Sequence, residues 1–347
     1  MIKQIAVKPD MTLRDAVNYV DIETEKVICI VDDNQILLGI FTSGDLRRYA
    51  IASGDMSAKI GNVMNKTPIV CTKVQEAKKI MIEKKLVAVP IVNDQGVLKD
   101  VIVTQNKQDN EVINNALDNI PLVMMAGGKG TRLYPYTKIL PKALIPIGET
   151  TISERIIKNF RKYGCKKVYF VLNYRAGMIK AYYQDIVSDY EVSFVEEEIF
   201  LGTGGGIKLL ENKIRNTFIV TNCDILVNAD FECALKTHKY NKNIMTLICA
   251  IKDIEIPYGV VNTDESGFIK EIIEKPDFSF LTNTGVYILE PEIFSYIQVN
   301  EFIHLPEIAK RCIEKGLNVG VFPVSSKAWL DMGEFSEMEK MIKELST

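Results

Sequence analysis

Apolar and polar residues follow two different patterns along the chain, and these separate the first third from the remainder. In the first third, VICIVDDNQILLGIFTSGDL at 27–46 aligns with AVPIVNDQGVLKDVIVTQN at 88–106, an offset of 61 residues. Each copy has a segment of helical spacing, TLRDAVNYV or KVQEAKKIM, followed by two apolar runs around a polar turn. The repeat predicts helix, strand, tight turn and strand in each copy, at about 1–55 and 56–115.

A polar segment rich in Asn and Asp, NKQDNEVINNALDN at 106–119, follows the repeat and predicts a linker. We place the linker at 116–120 and a second domain at 121–347. From there, short apolar strands such as PLVMMA and KVYFVL alternate with amphipathic helices such as TISERIIKNFRKYG. Thr151 and Glu154 stand in capping-box register at the start of that helix. The alternation predicts an α/β, doubly wound fold with a mostly parallel sheet.

Composition narrows the possible classes of function. A length of 347 residues suits two domains, and 42 basic against 45 acidic residues, well mixed, disfavour nucleic-acid binding. Because no apolar stretch reaches about 18 residues without charge and the N-terminus lacks a signal peptide, we expect a cytoplasmic protein without membrane association. Seven cysteines without a CxxC pair indicate a reducing compartment, with neither a disulfide framework nor zinc. With only His238 and His304 in the chain, no histidine base is expected.

Candidate chemistry lies in a glycine-rich segment directly after the first strand of the second domain, MAGGKGTRLYPYTKILPKALIPIG. Glycines let backbone amides approach phosphate oxygens, and cations neutralise phosphate charge. Between 119 and 148 there is no acidic residue, and the cations are Lys129, Arg132, Lys138 and Lys142. The alternative is a mobile turn with solvated charges, which three prolines in the segment disfavour. The segment fits neither GxGxxG nor the P-loop pattern, so neither a dehydrogenase nor a P-loop kinase follows.

This segment resembles the signature of the sugar nucleotidyltransferases, AGGxGTRLxPxT followed by PKP. Other strings of that family occur in order: LGTGGGI at 201–207, TNCD at 221–224, YGVV at 258–261, EKP at 274–276, NTGVY at 283–287 and WLDMG at 329–333. Two positions depart from the family pattern. Ala143 replaces the proline after Lys142, and Cys223 stands in the middle of the family's NGD, where we expect it to pack. The resemblance implies a Rossmann-like, GT-A-like nucleotidyltransferase domain.

The resemblance also implies the reaction and its residues. A sugar-1-phosphate attacks the α-phosphorus of a nucleoside triphosphate in line, pyrophosphate leaves, and Mg2+ bridges the phosphates between two carboxylates. The implied catalytic residues are Arg132, Lys142, Asp224 and Asp331, with the two aspartates also holding the metal. The implied nucleotide-binding residues are Gly127, Gly128, Gly130, Thr131, Gly202, Thr203 and Gly204. The implied sugar-phosphate-binding residues are Gly259, Glu274, Lys275, Asn283 and Thr284.

Some of these residues have a purely structural alternative. Asp224 and Asp331 each precede a predicted helix and would serve equally as its N-cap. The acidic run Glu196, Glu197 and Glu198, just before LGTGGGI, is either solvated or close to the nucleotide or sugar, and the sequence leaves both open.

Donor and acceptor follow only by analogy. The string LGTGGGI, with glycine after LGTG, is similar to the corresponding string of guanylyltransferases that act on heptose- or mannose-type phosphates. Together with the N-terminal repeat and TNCD, it resembles the glucosamine-1-phosphate guanylyltransferases of bacterial legionaminic acid biosynthesis. We therefore expect GTP and an amino hexose phosphate. The alternatives are uridylyl or thymidylyl transfer to glucose-1-phosphate, and a nucleotide-sensing protein that has lost catalysis.

The repeat itself resembles a tandem pair of CBS domains, a Bateman module. In that family, ribose is bound by a Thr and an Asp that stand in the pattern glycine, two apolar residues, Thr, any two residues, Asp. Thr42 and Asp45 occupy these positions in copy one. Copy two has Val103 and Asn106 there. The resemblance implies one regulatory nucleotide site per module, or else a ligand-free pair that only dimerises, and we expect a homo-oligomer.

Overall fold

The computed structural model describes residues 6–20, 27–53, 55–84, 86–103 and 115–345. The chain forms two compact units. The first unit comprises Met1–Asp109, Ala250–Thr282 and Ser325–Lys327, and the second comprises Asn110–Cys249, Asn283–Val324 and Ala328–Thr347. The first unit therefore includes a long segment from the predicted second domain. Residues 106–114 of the polar segment, including Asn106, lie outside the described residues, whereas the linker placed at 116–120 lies within them; the predicted boundaries stay a prediction.

The helices and strands follow the predicted order. In the N-terminal part they are β1 (Ala6–Val7), α1 (Leu13–Val20), β2 (Val27–Val31), β3 (Leu37–Thr42), α2 (Ser43–Ala52), α3 (Ile60–Val63), α4 (Val74–Glu83), β4 (Ala88–Val92) and β5 (Leu98–Val103). Up to the middle of the remainder they are β6 (Leu122–Ala126), β7 (Pro146–Ile147), β8 (Thr150–Thr151), α5 (Ile152–Arg161), β9 (Lys167–Leu172), α6 (Ala176–Gln184), β10 (Glu191–Glu196), α7 (Gly202–Lys208), β11 (Phe218–Asn222), β12 (Ile225–Val227) and α8 (Phe231–Tyr240). The last are β13 (Met245–Glu255), β14 (Val260–Thr263), β15 (Ile269–Ile273), β16 (Asp277–Leu289), α9 (Leu305–Glu314), β17 (Val319–Ser325), β18 (Trp329–Asp331) and α10 (Phe335–Leu345).

The two N-terminal hairpins repeat each other in register. In the first hairpin Val27 lies opposite Thr42 and Val31 opposite Leu37. In the second, Ala88 lies opposite Val103 and Val92 opposite Leu98, so every position moves by 61 residues. Both hairpins have their irregularity at the same point of the register. The internal repeat read from the sequence is confirmed.

A seven-stranded sheet in the order β10-β9-β6-β11-β16-β13-β17 organises the second unit. The neighbours β10, β9, β6 and β11 are parallel, and β16 runs antiparallel to β11. Alternate residues of β9 face opposite sides of the sheet. Phe170 contacts Tyr183 of α6, whereas Val171 belongs to the core cluster that includes Ile207 of α7 and Ile308 of α9. Helices thus cover both faces, and the doubly wound, mostly parallel fold is confirmed.

Helix α5 shows how local sequence fixes an element. The Thr151 hydroxyl accepts from the Glu154 amide, and the Glu154 carboxylate accepts from the Thr151 amide. This reciprocal pair is the predicted capping box, which satisfies amides that have no partner inside the helix. Ile152, Ile156 and Phe160 form its buried stripe. The helix therefore begins and packs as its sequence predicts.

Candidate active site

The parallel strands β6 and β11 end side by side, and this brings the glycine loop next to the TNCD string. Asn222 at the end of β11 lies opposite Met125 near the end of β6, and the Cys223 amide donates to the Met125 carbonyl at 3.2 Å. The loop therefore leaves the same carboxyl edge of the sheet at which Asp224 stands. Ligands of open α/β sheets bind at this edge.

The glycine loop has a defined backbone. Gly130 has φ +62°, in the left-handed region, and the Thr137 hydroxyl donates to its carbonyl at 2.7 Å. Thr137 is fully buried, which ties the two halves of the loop together. Ala143, where the family pattern has proline, is buried, and its carbonyl accepts from the Ser153 hydroxyl at 2.7 Å. Internal hydrogen bonds therefore order the loop backbone, while three of its four cations, Lys129, Arg132 and Lys138, are exposed.

Four charged groups converge beyond this loop. Lys142 Nζ forms an ion pair with Asp224 Oδ2. Strand β18 pairs with β12 so that Asp331 lies opposite Ile225, and the Met332 amide donates to the Asp224 carbonyl at 2.9 Å. Burial raises the pKa of Asp331, the charge of Asp224 raises it further, and Lys142 and Arg132 oppose both effects. Two carboxylates and two cations therefore lie within electrostatic reach of one another.

The structural alternatives for the two aspartates do not hold. Helix α8 takes its N-cap from Asp230, whose carboxylate accepts from the Cys233 amide at 3.0 Å. Asp331 belongs to strand β18, four residues before α10 begins. Cys223 is buried, and burial raises the pKa of its thiol to about 12, so the thiol is neutral and suits the expected packing role.

The donor set suits a hard divalent cation. Among the residues that the structure describes, no group of three or more His, Cys, Asp or Glu side chains is placed to hold a metal ion. Mg2+ needs fewer protein ligands than such a group provides, because it retains waters and uses one or two carboxylates together with substrate phosphates. The charge of Asp224 raises the pKa of Asp331, so the two carboxylates are like charges that a cation would stabilise. Asp224 and Asp331 therefore fit magnesium.

The sequence left the acidic run at 196–198 open between a solvated and a ligand-facing role, and the structure buries its middle residue, Glu197, beside the glycine loop. Its side chain is only 5% exposed, Oε1 accepts from the Leu201 amide at 3.1 Å, and Oε2 has no hydrogen-bond partner. A Cβ on Gly127 would lie 2.5 Å from Oε2, so this oxygen points at the loop. Burial raises the pKa of Glu197 to about 6. Of the three acids in the run, Glu196 and Glu198 are exposed.

Several predicted binding residues use their side chains within the protein. The Thr203 hydroxyl accepts from the Leu305 amide at 3.2 Å, and the Thr284 hydroxyl donates to the Ile248 carbonyl at 2.8 Å. Gly202 has φ +75°, and a Cβ on Gly204 would lie 3.0 Å from the Ile303 carbonyl oxygen. These positions are required by close packing, and their role in ligand binding stays a prediction.

The predicted sugar-phosphate residues divide between the units. Asn283 and Thr284 belong to the second unit, and Gly259, Glu274 and Lys275 to the first. Within the first unit, a Cβ on Gly259 would lie 3.0 Å from Glu274 Oε2, so the YGVV and EKP strings are neighbours.

Thr42 and Asp45 of the N-terminal repeat bond to each other. The Thr42 hydroxyl donates to Asp45 Oδ2 at 2.7 Å, and the same oxygen accepts from the Thr42 amide at 2.8 Å. They form the capping box of α2. Nucleotide binding by this pair stays a prediction.

Comparison with known proteins agrees with this geometry. A family model described as nucleotidyl transferase matches residues 122–347. The chain belongs to the nucleotidyl transferase family. A second family model, the CBS domain, matches residues 1–52, which places a CBS domain ahead of the nucleotidyl transferase domain.

Relatives of this nucleotidyl transferase include enzymes with different donors. The UTP–glucose-1-phosphate uridylyltransferase of Synechocystis sp. is 29% identical over 241 residues, 64% of this chain and 62% of that protein. The D-glycero-alpha-D-manno-heptose 1-phosphate guanylyltransferase of Campylobacter jejuni is 29% identical over 56% of this chain and 86% of its own length. The crystal structure of HddC from Yersinia pseudotuberculosis shares the fold with a TM-score of 0.52 and 24% identity, covering 65% of this chain and 99% of HddC.

The match leaves part of several relatives uncovered, since it spans 62% of the Synechocystis enzyme and 41% of a bifunctional GlmU protein from Methanococcus aeolicus. Within the described ranges, no helix is long and apolar enough to cross a membrane.

Proposed function

We propose that the protein transfers GMP from GTP to a hexose-1-phosphate, with glucosamine-1-phosphate as the first candidate acceptor, and releases pyrophosphate. The observation that carries the choice of donor is Glu197, a buried carboxylate with an unpartnered oxygen directed at Gly127 of the nucleotide loop. A buried carboxylate oxygen without a partner is unfavourable, so Oε2 is free to accept a hydrogen bond from a ligand.

Guanine offers such a donor in a better arrangement than uracil or thymine does. Its Watson–Crick edge presents an N1–H and a 2-amino group side by side, two donors for a carboxylate whose Oε1 also accepts from the Leu201 amide. Uracil and thymine present one N–H between two carbonyl oxygens, which a carboxylate repels. The charge of Glu197 therefore favours GTP over UTP and dTTP.

The residues of the carboxyl edge supply positioning and charge for in-line transfer. An oxygen of the sugar phosphate forms a bond to the α-phosphorus while the bond between the α-phosphorus and the bridging oxygen to the β-phosphate breaks, and the electron pair leaves with pyrophosphate. The attacking oxygen is already an anion, so no general base is needed. Arg132 and Lys142 neutralise the phosphates, and Lys275 holds the sugar phosphate. Magnesium bound by Asp224 and Asp331 supplies further neutralisation.

The test is pyrophosphate release from a matrix of GTP, UTP, dTTP, ATP and CTP against glucosamine-, N-acetylglucosamine-, glucose-, mannose- and heptose-1-phosphates, with and without Mg2+. We expect GTP to give the highest kcat/KM and turnover to stop when the metal is removed. Faster turnover with UTP or dTTP would overturn the assignment of GTP as the donor. Absence of turnover with every pair would support the nucleotide-sensing alternative.

A further inference from the structure

The EKP string stands at the base of an exposed hairpin. Strands β14 and β15 form a two-stranded sheet of their own between β13 and β16, and every residue of β15 is exposed. An isolated two-stranded hairpin is only marginally stable, so its geometry depends on how its base is held. Glu274 and Lys275 lie at that base, between β15 and β16.

The backbone at Lys275 is unusual. Its φ is +45°, in the left-handed region that residues with a side chain seldom adopt, and this conformation persists only where the surroundings impose it. The next residue, Pro276, is buried, and its carbonyl accepts from the Ile256 amide at 3.0 Å. The chain is therefore held immediately after Lys275.

Arg14 of helix α1 holds the same point from the N-terminal part of the first unit. Its guanidinium forms ion pairs with Asp277, two residues after Lys275, and with Asp253 on β13, with 3.4 Å between Nε and Oδ2 in the second pair. The three side chains are 30%, 35% and 31% exposed, so the pairs are partly shielded from water. The Ser279 hydroxyl also donates to Asp253, which joins β16 to β13.

Apolar packing supports this connection. Ile251 on β13 is 5% exposed and belongs to the hydrophobic core cluster of the N-terminal repeat, with Leu13 and Phe41. Strand β13 and helix α1 therefore share a core, and a charged bracket, formed by Arg14, Asp253 and Asp277, joins α1 to β13 and β16.

We infer that Arg14 is a positioning residue for Lys275, so that the N-terminal module sets the affinity for the sugar phosphate and not for the nucleotide. The inference rests on the proposed role of Lys275 in the transferase reaction. Because the guanidinium donates a hydrogen bond to Asp277 and forms an ion pair with Asp253, it holds β13 and β16 relative to each other and thereby the turn in which Lys275 stands.

The test measures steady-state kinetics of Arg14→Ala in the full chain. We expect the KM for sugar phosphate to rise roughly tenfold. The KM for GTP and kcat should stay within about twofold, as for a substitution remote from the chemistry. The double variant Arg14→Asp with Asp277→Arg should recover part of the loss. Lys8→Ala is the matched control, since it removes an ion pair with Asp33 whose partners both lie in the N-terminal repeat.

A second measurement does not depend on turnover. Hydrogen exchange of amides 256–276 should be faster in Arg14→Ala than in Lys8→Ala or the unaltered protein. Unchanged exchange, or an equal effect on both substrates, would overturn the inference. Calorimetric titration with sugar phosphate alone reads the same affinity without catalysis. If the protein binds sugar phosphate but turns over no triphosphate, the proposed function is refuted. The effect of Arg14→Ala on the affinity for sugar phosphate still tests the role of Arg14.

Discussion

Lys142 and Asp224, 82 residues apart in the chain, form an ion pair whose side chains are only 10% and 17% exposed. Shielding from water strengthens such a pair relative to one on the surface. It also holds the proposed phosphate-binding cation and the proposed metal-binding carboxylate together at the edge of the sheet. When the triphosphate and magnesium bind, we expect Lys142 to exchange Asp224 for a phosphate and Asp224 to exchange Lys142 for the metal ion.

Removing either member should therefore affect the chemical step. We expect Lys142→Ala and Asp224→Ala each to lower turnover on the order of 10²–10³-fold, the scale for one lost electrostatic contact in a transition state. Pyrophosphate release measures this at saturating substrate. Lys138→Ala, which removes an exposed cation of the same loop, is the control and should remain near wild-type turnover. Equal rates for all three variants would contradict the assignment.

The selectivity for donor should depend on Glu197. Glu197→Gln replaces one carboxylate oxygen by an amide NH2 group, which cannot accept from guanine, so kcat/KM for GTP should fall roughly 10- to 100-fold. UTP and dTTP should lose less, because the amide can donate to their carbonyl oxygens. Glu198→Gln, an exposed neighbour, should leave the ratio of GTP to UTP unchanged. A ratio unaffected by Glu197→Gln would exclude this residue from base recognition.

The same carboxylate should give stability a particular pH dependence. Its folded pKa of about 6 lies above its usual value of 4.5, so the folded state binds the extra proton. The contribution of this group to folding is greatest below about pH 4.5 and is lost as the pH rises through about 6. Above that pH, the free energy of unfolding is lower by about 2 kcal/mol on account of this one charged group.

We therefore expect Glu197→Gln to unfold at a higher temperature than wild type at pH 7.5, with the difference shrinking between about pH 6 and 4.5. Thermal unfolding of the ligand-free proteins measures this, with Glu198→Gln as control. A variant that is less stable than wild type at pH 7.5 would show that the neutral amide is not tolerated there.

The capping box of Thr42 and Asp45 separates a structural role from a ligand-binding one. Asp45→Asn keeps a side-chain oxygen for the cap but lacks the charge that would accept from two ribose hydroxyls. If the pair binds nucleotide, calorimetric titration of the full chain with AMP or ATP should lose its heat in Asp45→Asn and keep it in Asn106→Ala. No heat from the unaltered protein would leave only the capping role.

The sequence alone determined the features that are local along the chain. The 61-residue repeat, the capping box of Thr151 and Glu154 and the alternation of strands and helices all appear in the structure, because hydrogen bonding and burial within one element depend on spacing over a few residues. The glycine loop was also predictable, since its composition and its position after a buried strand are properties of one segment.

Only the tertiary structure decided which of several similar residues is buried and which charged residues form ion pairs. Glu196, Glu197 and Glu198 are equivalent in sequence, and only the packing beside Gly127 buries the middle one. The contact between Arg14 and Asp277 joins positions 263 residues apart. No local pattern encodes such a pair, because burial and charge pairing arise when distant segments pack together and displace water from each other.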